Sequence, residues 1–183
     1  MNVEQVTTVF RGRVITVNVE TVVLPNGHRV ELEVIRHPGG AAVIALDRDE
    51  RVCLLRQYRH AADGWIWELP AGKLEPPEPP LRTAQRELVE EAGVSAFEWH
   101  PLGSYLSSPG VFNETIHLFL AIDLEPASAA PEAAEVLEVH WVALEEACRR
   151  ALGGDIRDGK TALGLLRAWH VRHGFTGDRI ERS

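Results

Sequence analysis

The stretch GKLEPPEPPLRTAQRELVEEAGV, residues 72–94, places three carboxylates where they can act together. Glu87, Glu90 and Glu91 stand three and four positions apart, so on a helix they are neighbours on one face. Like charges at that spacing destabilise a bare helix by about 0.2–0.5 kcal/mol per pair. A hard divalent cation offsets such a cost. Mg²⁺ takes oxygen ligands and is usually held by one or two carboxylates together with substrate phosphates rather than in a closed cage. Its chemistry is to cancel charge on phosphate oxygens and to make a bound water more acidic. Arg86 lies one turn before Glu90 and can pair with it, holding the carboxylate in place.

The elements that must position these groups are also legible. Pro76, Pro77, Pro79 and Pro80 exclude helix before Leu81 except in a first turn, where proline needs no donor, so the helix is expected to start near Pro80. Leu81, Ala84, Leu88 and Ala92 then recur at helical spacing as one apolar stripe, with the three glutamates off it. Gly93 suits the left-handed position that ends a helix, and Gly72 lets backbone approach a bound ion. A short Glu-rich run is ordinarily a solvated helix face. The whole spaced set, Gly72, Glu78, Arg86, Glu87, Glu90, Glu91 and Gly93, arises by accident on the order of once in 10⁸ starting positions, which favours function.

That set resembles the signature box of the Nudix hydrolase family, with apolar Leu88 and Val94 at the remaining defined positions. The resemblance implies a magnesium-dependent enzyme, Mn²⁺ being a possible substitute, that cleaves a diphosphate linking a nucleoside to another group. It implies a metal site of Glu87, Glu90, Glu91 and the Ala71 carbonyl, with Arg86 orienting the carboxylates and Glu90 and Glu91 sharing in catalysis. Similar pyrophosphatases place an arginine on the diphosphate shortly before the box; Arg59 is the preferred match and Arg56 the second. Glu68 lies close to the metal site by chain connectivity and is expected, with Arg59, Arg56 and Pro109, among the substrate-binding residues. In similar enzymes a loop glutamate helps activate water, for which Glu135 matches best and Glu132 is the substitute. Pro109, 16 residues beyond Gly93, resembles the mark of the ADP-ribose pyrophosphatase branch. ADP-ribose, giving AMP and ribose 5-phosphate, is therefore the expected substrate. In that branch an N-terminal sheet region is exchanged across a dimer, which implies a homodimer.

The rest of the 183 residues supports one domain of ordinary globular composition. With 27 acidic against 19 basic residues the formal charge is −8, which argues against a nucleic-acid surface. No secretory signal opens the chain and no apolar run approaches the length of a membrane span, so a soluble cytoplasmic protein is expected. Cys53 and Cys148 read as buried free thiols. Alternating strands around Asn26-Gly27 form a hairpin. Apolar runs at 41–46 and 52–55 read as central strands, with Arg56 to His60 leaving the sheet. The stretch 125–134, rich in Ala and Pro, reads as a mobile loop; helices are expected at 143–152 and 161–173.

The expected fold is α/β, a Nudix-like α/β/α sandwich with a mixed sheet preceded by an N-terminal antiparallel β-hairpin region. The division is 1–38 for the N-terminal β region and dimerisation element, 39–175 for the hydrolase domain and 176–183 for a tail. Two rivals stand beside ADP-ribose hydrolysis. One is a GDP-mannose or other nucleotide-sugar hydrolase, of which Asp155 to Thr161 is reminiscent. The other is a silent nucleotide sensor, against which all box glutamates are present.

Overall fold

The computed structural model describes residues 2–75, 77–130 and 136–174. Three strands open the chain, β1 (Asn2–Arg11), β2 (Thr16–Val23) and β3 (Arg29–Arg36), in one antiparallel sheet of order β1-β2-β3. The β2–β3 hairpin was expected from its alternation; β1 was not. All ten residues of β1 are exposed, so it lacks the one-sided apolar pattern that marks a half-buried strand. This sheet meets the rest of the molecule where Ile35 and Phe112 form a parallel bridge and Ile35 N–H donates to the Val111 carbonyl at 2.7 Å.

The rest of the molecule is built on two further sheets. One has the order β7-β4-β9-β8, from β4 (Gly40–Ala45), β7 (Ala71–Lys73), β8 (Val94–Leu106) and β9 (Thr115–Pro126). Its β4–β9 pair is parallel and its other pairs are antiparallel, so the sheet is mixed. The other has the order β10-β5-β6, from β5 (Arg51–Arg59), β6 (Gly64–Glu68) and β10 (Leu137–Ala143). A Leu46–Val52 bridge joins the two.

Helix α1 (Pro80–Ala92) covers one side, where Ala84 and Leu88 pack on Ala41, Val43, Cys53 and Leu55. Helices α2 (Leu144–Leu152) and α3 (Gly159–His173) cover the other, against Ile44, Leu54 and Leu118. Alternate residues of β4 and β5 thus serve opposite cores, which explains their continuous apolar runs. The result is an α/β/α sandwich.

Two local expectations are corrected. Arg56 to Arg59 do not leave the sheet: Arg59 pairs with Gly64 across the β5–β6 ladder, and only His60–Ala62 turns away as a short 3₁₀ segment. Of the stretch expected to be a loop, β9 takes residues up to Pro126, and Ala127 and Ala130 donate backbone hydrogen bonds to the Gly93 and Glu90 carbonyls. Both cysteines are free and buried. Among the described residues no helix is long and apolar enough to cross a membrane.

Candidate active site

Helix α1 begins where the sequence demands. Pro79 is extended (φ −66°, ψ 147°), Pro80 is the first helical residue, and Gly93 ends the helix in the left-handed region at φ 66°. Its buried face is broader than the apolar stripe. Thr83, Glu87 and Glu91, each four residues apart, are also buried, with Glu91 only 2% exposed. The two glutamates therefore do not lie off the packed face; they line its edge against β7.

Strand β7 accepts them for two reasons. The Ala71 N–H donates to Glu91 Oε2 at 2.8 Å. A Cβ on Gly72 would sit 1.8 Å from Glu87 Oε1, so the absent side chain is the space the Glu87 carboxylate occupies. Arg86 completes the cluster, its Nη1 donating to Glu87 Oε1 at 2.8 Å and Glu90 Oε2 at 2.9 Å. Burial would lower the Arg86 pKa, but the charges of Glu87 and Glu90 overcome it and hold the guanidinium above its ordinary value. Glu78 lies 3.6 Å from Arg86 and accepts from Thr83 Oγ1 at 2.9 Å, fixing the helix start to the same guanidinium.

These groups border a cleft of about 530 Å³. Ala71, Gly72, Arg86 and Glu87 form the box side. Arg59 and Lys160 also line it, as do Tyr105, Ser107, Glu114 and His37 with hydroxyl, carboxylate and imidazole groups. His37 Nδ1 lies 3.0 Å from the Gly39 amide nitrogen and 3.4 Å from Glu114 Oε1. The Tyr105 phenol is pushed up by burial and by the charges of Asp158 and Glu114.

Beneath Arg59 lies Glu68, 2% exposed. Its Oε1 accepts from Arg59 Nε at 2.8 Å, and its Oε2 from Arg59 Nη2 at 2.9 Å and Lys160 Nζ at 2.7 Å. Burial alone would raise the Glu68 pKa; the two cations outweigh it and bring the carboxyl down to about 2.

Of the residues singled out in the sequence, Arg59, Ala71, Arg86 and Glu87 border the cleft, Glu90 and Glu91 adjoin them, and Glu68 lies behind. Arg56, three residues from Arg59, emerges on the opposite face of β5, over the Trp65 ring at 5.5 Å and 3.9 Å from Glu138. Pro109 is exposed in a turn closed by Phe112 N–H on the Ser108 carbonyl, away from the cleft lining. Glu132 and Glu135 lie outside the described residues. Tyr105 and His37 were not anticipated; Asp158 and Lys160 fall in the 155–161 stretch noted for its likeness to GDP-mannose hydrolases but were not named as site residues, and Asp158 accepts from Thr161 N–H at 3.0 Å at the helix start.

The donor set suits Mg²⁺. All candidate ligands are carboxylate or carbonyl oxygens, and the gap above Gly72 is shaped to a carboxylate. No three His, Cys, Asp or Glu side chains among the described residues converge to hold an ion unaided.

The NUDIX domain model matches residues 36–163. The ADP-ribose pyrophosphatase of Bacillus subtilis (strain 168) is 38% identical over 159 residues, covering 86% of each chain. That of Mycobacterium tuberculosis (strain ATCC 25618 / H37Rv) is 35% identical over 176 residues, 94% of this chain and 84% of its own. The GDP-mannose pyrophosphatase of Cronobacter sakazakii is 35% identical over 155 residues, 75% of this chain and 80% of its own. A crystal structure of an ADP compounds hydrolase superposes with a TM-score of 0.78 at 27% identity, covering 94% of this chain and 95% of that one. A box folded around one cleft, a family model spanning most of the chain and relatives along its length agree: the protein is a Nudix hydrolase.

Proposed function

We propose that the protein is a magnesium-dependent ADP-ribose pyrophosphatase that releases AMP and ribose 5-phosphate. The observation that carries this reading is one cleft whose lining includes Glu87 and Arg86 of the box, Ala71 and Gly72, and the cations Arg59 and Lys160. Cationic groups in the lining suit the non-bridging oxygens of a diphosphate. Relatives named ADP-ribose pyrophosphatase match over most of the chain.

When bound by Glu87, Glu91 and the Ala71 carbonyl, Mg²⁺ supplies charge neutralisation at the phosphates and a more acidic water. The chain's own residues do the rest. Water oxygen bonds to one phosphorus as the bond from that phosphorus to the bridging oxygen breaks, and the water proton passes to a carboxylate, Glu90 or the loop glutamate. Arg86 Nη1 bridges Glu87 and Glu90 and fixes their spacing. Tyr105, Ser107 and Glu114 offer partners to sugar hydroxyls.

A second reading, GDP-mannose hydrolysis, is favoured by the Cronobacter relative and by the entry of the 155–161 stretch into the cleft through Asp158 and Lys160. Turnover of ADP-ribose, GDP-mannose, NADH, CoA and nucleoside triphosphates with and without Mg²⁺ decides between them. ADP-ribose should be preferred and EDTA should abolish turnover; a GDP-mannose preference installs the second reading, and full activity in EDTA removes the metal. The same proposal includes a homodimer, supported by the exposed Val3, Val6 and Leu32 of the first sheet. Light scattering showing a monomer at working concentration would remove it.

A further inference from the structure

We propose that Arg167 of α3 is a positioning residue: by holding a one-residue bulge in β8 it turns Tyr105 into the cleft, where the phenol meets the sugar end of the substrate. This inference rests on the nucleotide-sugar reading and adds to it a residue of the C-terminal helix. Trp99 and Tyr105 stand six residues apart in β8 (105 − 99 = 6), an even number, so a regular strand would send both side chains to one face. They serve opposite cores instead. Trp99 packs against the cluster that holds Ala84 and Leu88 of α1, and Tyr105 against the cluster that holds Leu165 and Ala168 of α3. The ladder shows where the change occurs. Pro101 pairs with Phe119 and Ser104 with His117, so Leu102 and Gly103 together stand opposite Leu118. The extra residue reverses side-chain parity, and Tyr105 comes to the α3 side of the sheet.

Arg167 ties this bulge to the helix. Its Nη1 donates to the Leu102 carbonyl at 2.9 Å. A bulge interrupts the ladder locally, and here a guanidinium serves its carbonyl. Gly103 takes the left-handed backbone that such a bulge uses, with φ 84°. A Cβ there would stand 3.3 Å from Arg167 Nη1, so glycine also leaves room for the guanidinium. What the bulge delivers is a hydroxyl. Tyr105 lines the cleft together with Glu114. Burial and the charges of Asp158 and Glu114 push its phenol up, with Arg167 acting against them, so the hydroxyl keeps its proton in neutral solution. It can therefore donate, whereas an ionised carboxylate such as Glu114 only accepts. A sugar hydroxyl both donates and accepts, and a phenol beside a carboxylate answers both needs.

A purely structural role for Arg167 would change stability alone. The experiment compares wild type, Tyr105→Phe, Arg167→Met, Arg167→Lys and the double variant Arg167→Met/Tyr105→Phe, with ribose 5-phosphate and AMP as calorimetric probes, alongside melting temperatures. Tyr105→Phe and Arg167→Met should each weaken ribose 5-phosphate by about fivefold or more, the loss of one hydrogen bond, and AMP by less than about twofold. The double variant should match Tyr105→Phe to within about twofold, because Arg167 acts through Tyr105. Arg167→Lys, which can still donate to the Leu102 carbonyl, should stay within about twofold of wild type. With Mg²⁺, KM for ADP-ribose should rise in Arg167→Met more than kcat falls. Ribose 5-phosphate binding within about twofold of wild type in folded Arg167→Met or in Tyr105→Phe overturns the proposal, as do an equal loss for AMP, an additive double variant, or no binding by wild type. If Arg167→Met does not fold, Gly103→Ala strains the same bulge: it should weaken ribose 5-phosphate by about fivefold or more, and an unchanged affinity overturns the proposal. Wild type that binds ribose 5-phosphate through Tyr105 yet leaves ADP-ribose intact counts against the substrate reading and not against the role of Arg167.

Discussion

Gly72→Ala isolates one geometric requirement of the site. Gly72 is not among the glycines with positive φ, so alanine meets no backbone strain there. The added Cβ would stand 1.8 Å from Glu87 Oε1 and 2.2 Å from Cδ. Real Cβ contacts essentially never fall below 3.0 Å, so the carboxylate must retreat by more than 1 Å. A side-chain terminus can do this without unfolding the protein, and alanine in a strand recovers roughly 0.5–1 kcal/mol that glycine forgoes. Stability should change by less than about 1 kcal/mol, near 2–4 °C in Tm for a chain of this size. Activity should not be spared, since a misplacement of about 1 Å at a reacting centre costs on the order of 10²-fold, or about 2.7 kcal/mol of transition-state stabilisation. Initial rates of ADP-ribose hydrolysis at saturating Mg²⁺, with a melting curve for each protein, measure both quantities. Glu87→Ala supplies the cycle: if the alanine acts only by displacing Glu87, adding Gly72→Ala to Glu87→Ala should cost less than about threefold more. Full activity of Gly72→Ala beside an inactive Glu87→Gln would refute the reasoning, because it would separate the carboxylate's role from its seat over Gly72.

Further outcomes follow from the same contacts. Glu91→Gln should keep the fold and lower kcat by orders of magnitude in the same assay; unchanged turnover removes Glu91 from the site. Glu68 titrates near 2 in the folded protein, below an ordinary carboxylate, so its stabilisation is complete above about pH 4.5 and is lost as the pH falls toward 2. Discounted for the half-exposed Arg59, this is about 1–3 kcal/mol, and Glu68→Gln should flatten the acid limb of a urea-melt series between pH 5 and 2. Thr161→Val leaves the buried Leu69 N–H without its acceptor and should cost about 1–3 kcal/mol in chemical denaturation, with Thr161→Ser recovering most of it. Burial, with the Glu91 charge beside it, pushes the Cys53 thiol up to about 12, and burial pushes Cys148 up to about 11. Iodoacetamide at pH 8 should therefore label neither until urea unfolds the chain, as mass spectrometry would show.

What the sequence disclosed depended on whether the information was local. The limits of α1 were legible because prolines and Gly93 punctuate it. The pairing of Arg86 with Glu90 followed from helical spacing. The burial of Glu87 and Glu91 was not legible, since it depends on a strand that offers one a backbone N–H and the other a missing side chain. Arg59 and Arg56 could not be ranked by residue type alone. Strand parity decides their faces once β5 runs in register as far as Gly64. The pairing of Lys160 with Glu68 was not legible because the two stand 92 residues apart. Strand β1, exposed along its whole length, gave no periodicity to read.

The Leu69–Thr161 bond and the parallel β4–β9 pairing also set a timetable for the nascent chain. During synthesis the signature helix emerges well before α3, and closing such long loops costs entropy before any contact repays it. The part of the cleft wall that α3 and its start contribute, Asp158, Gly159 and Lys160, is therefore completed last. Enzymatic competence should be the last property acquired on refolding, trailing the recovery of helical signal.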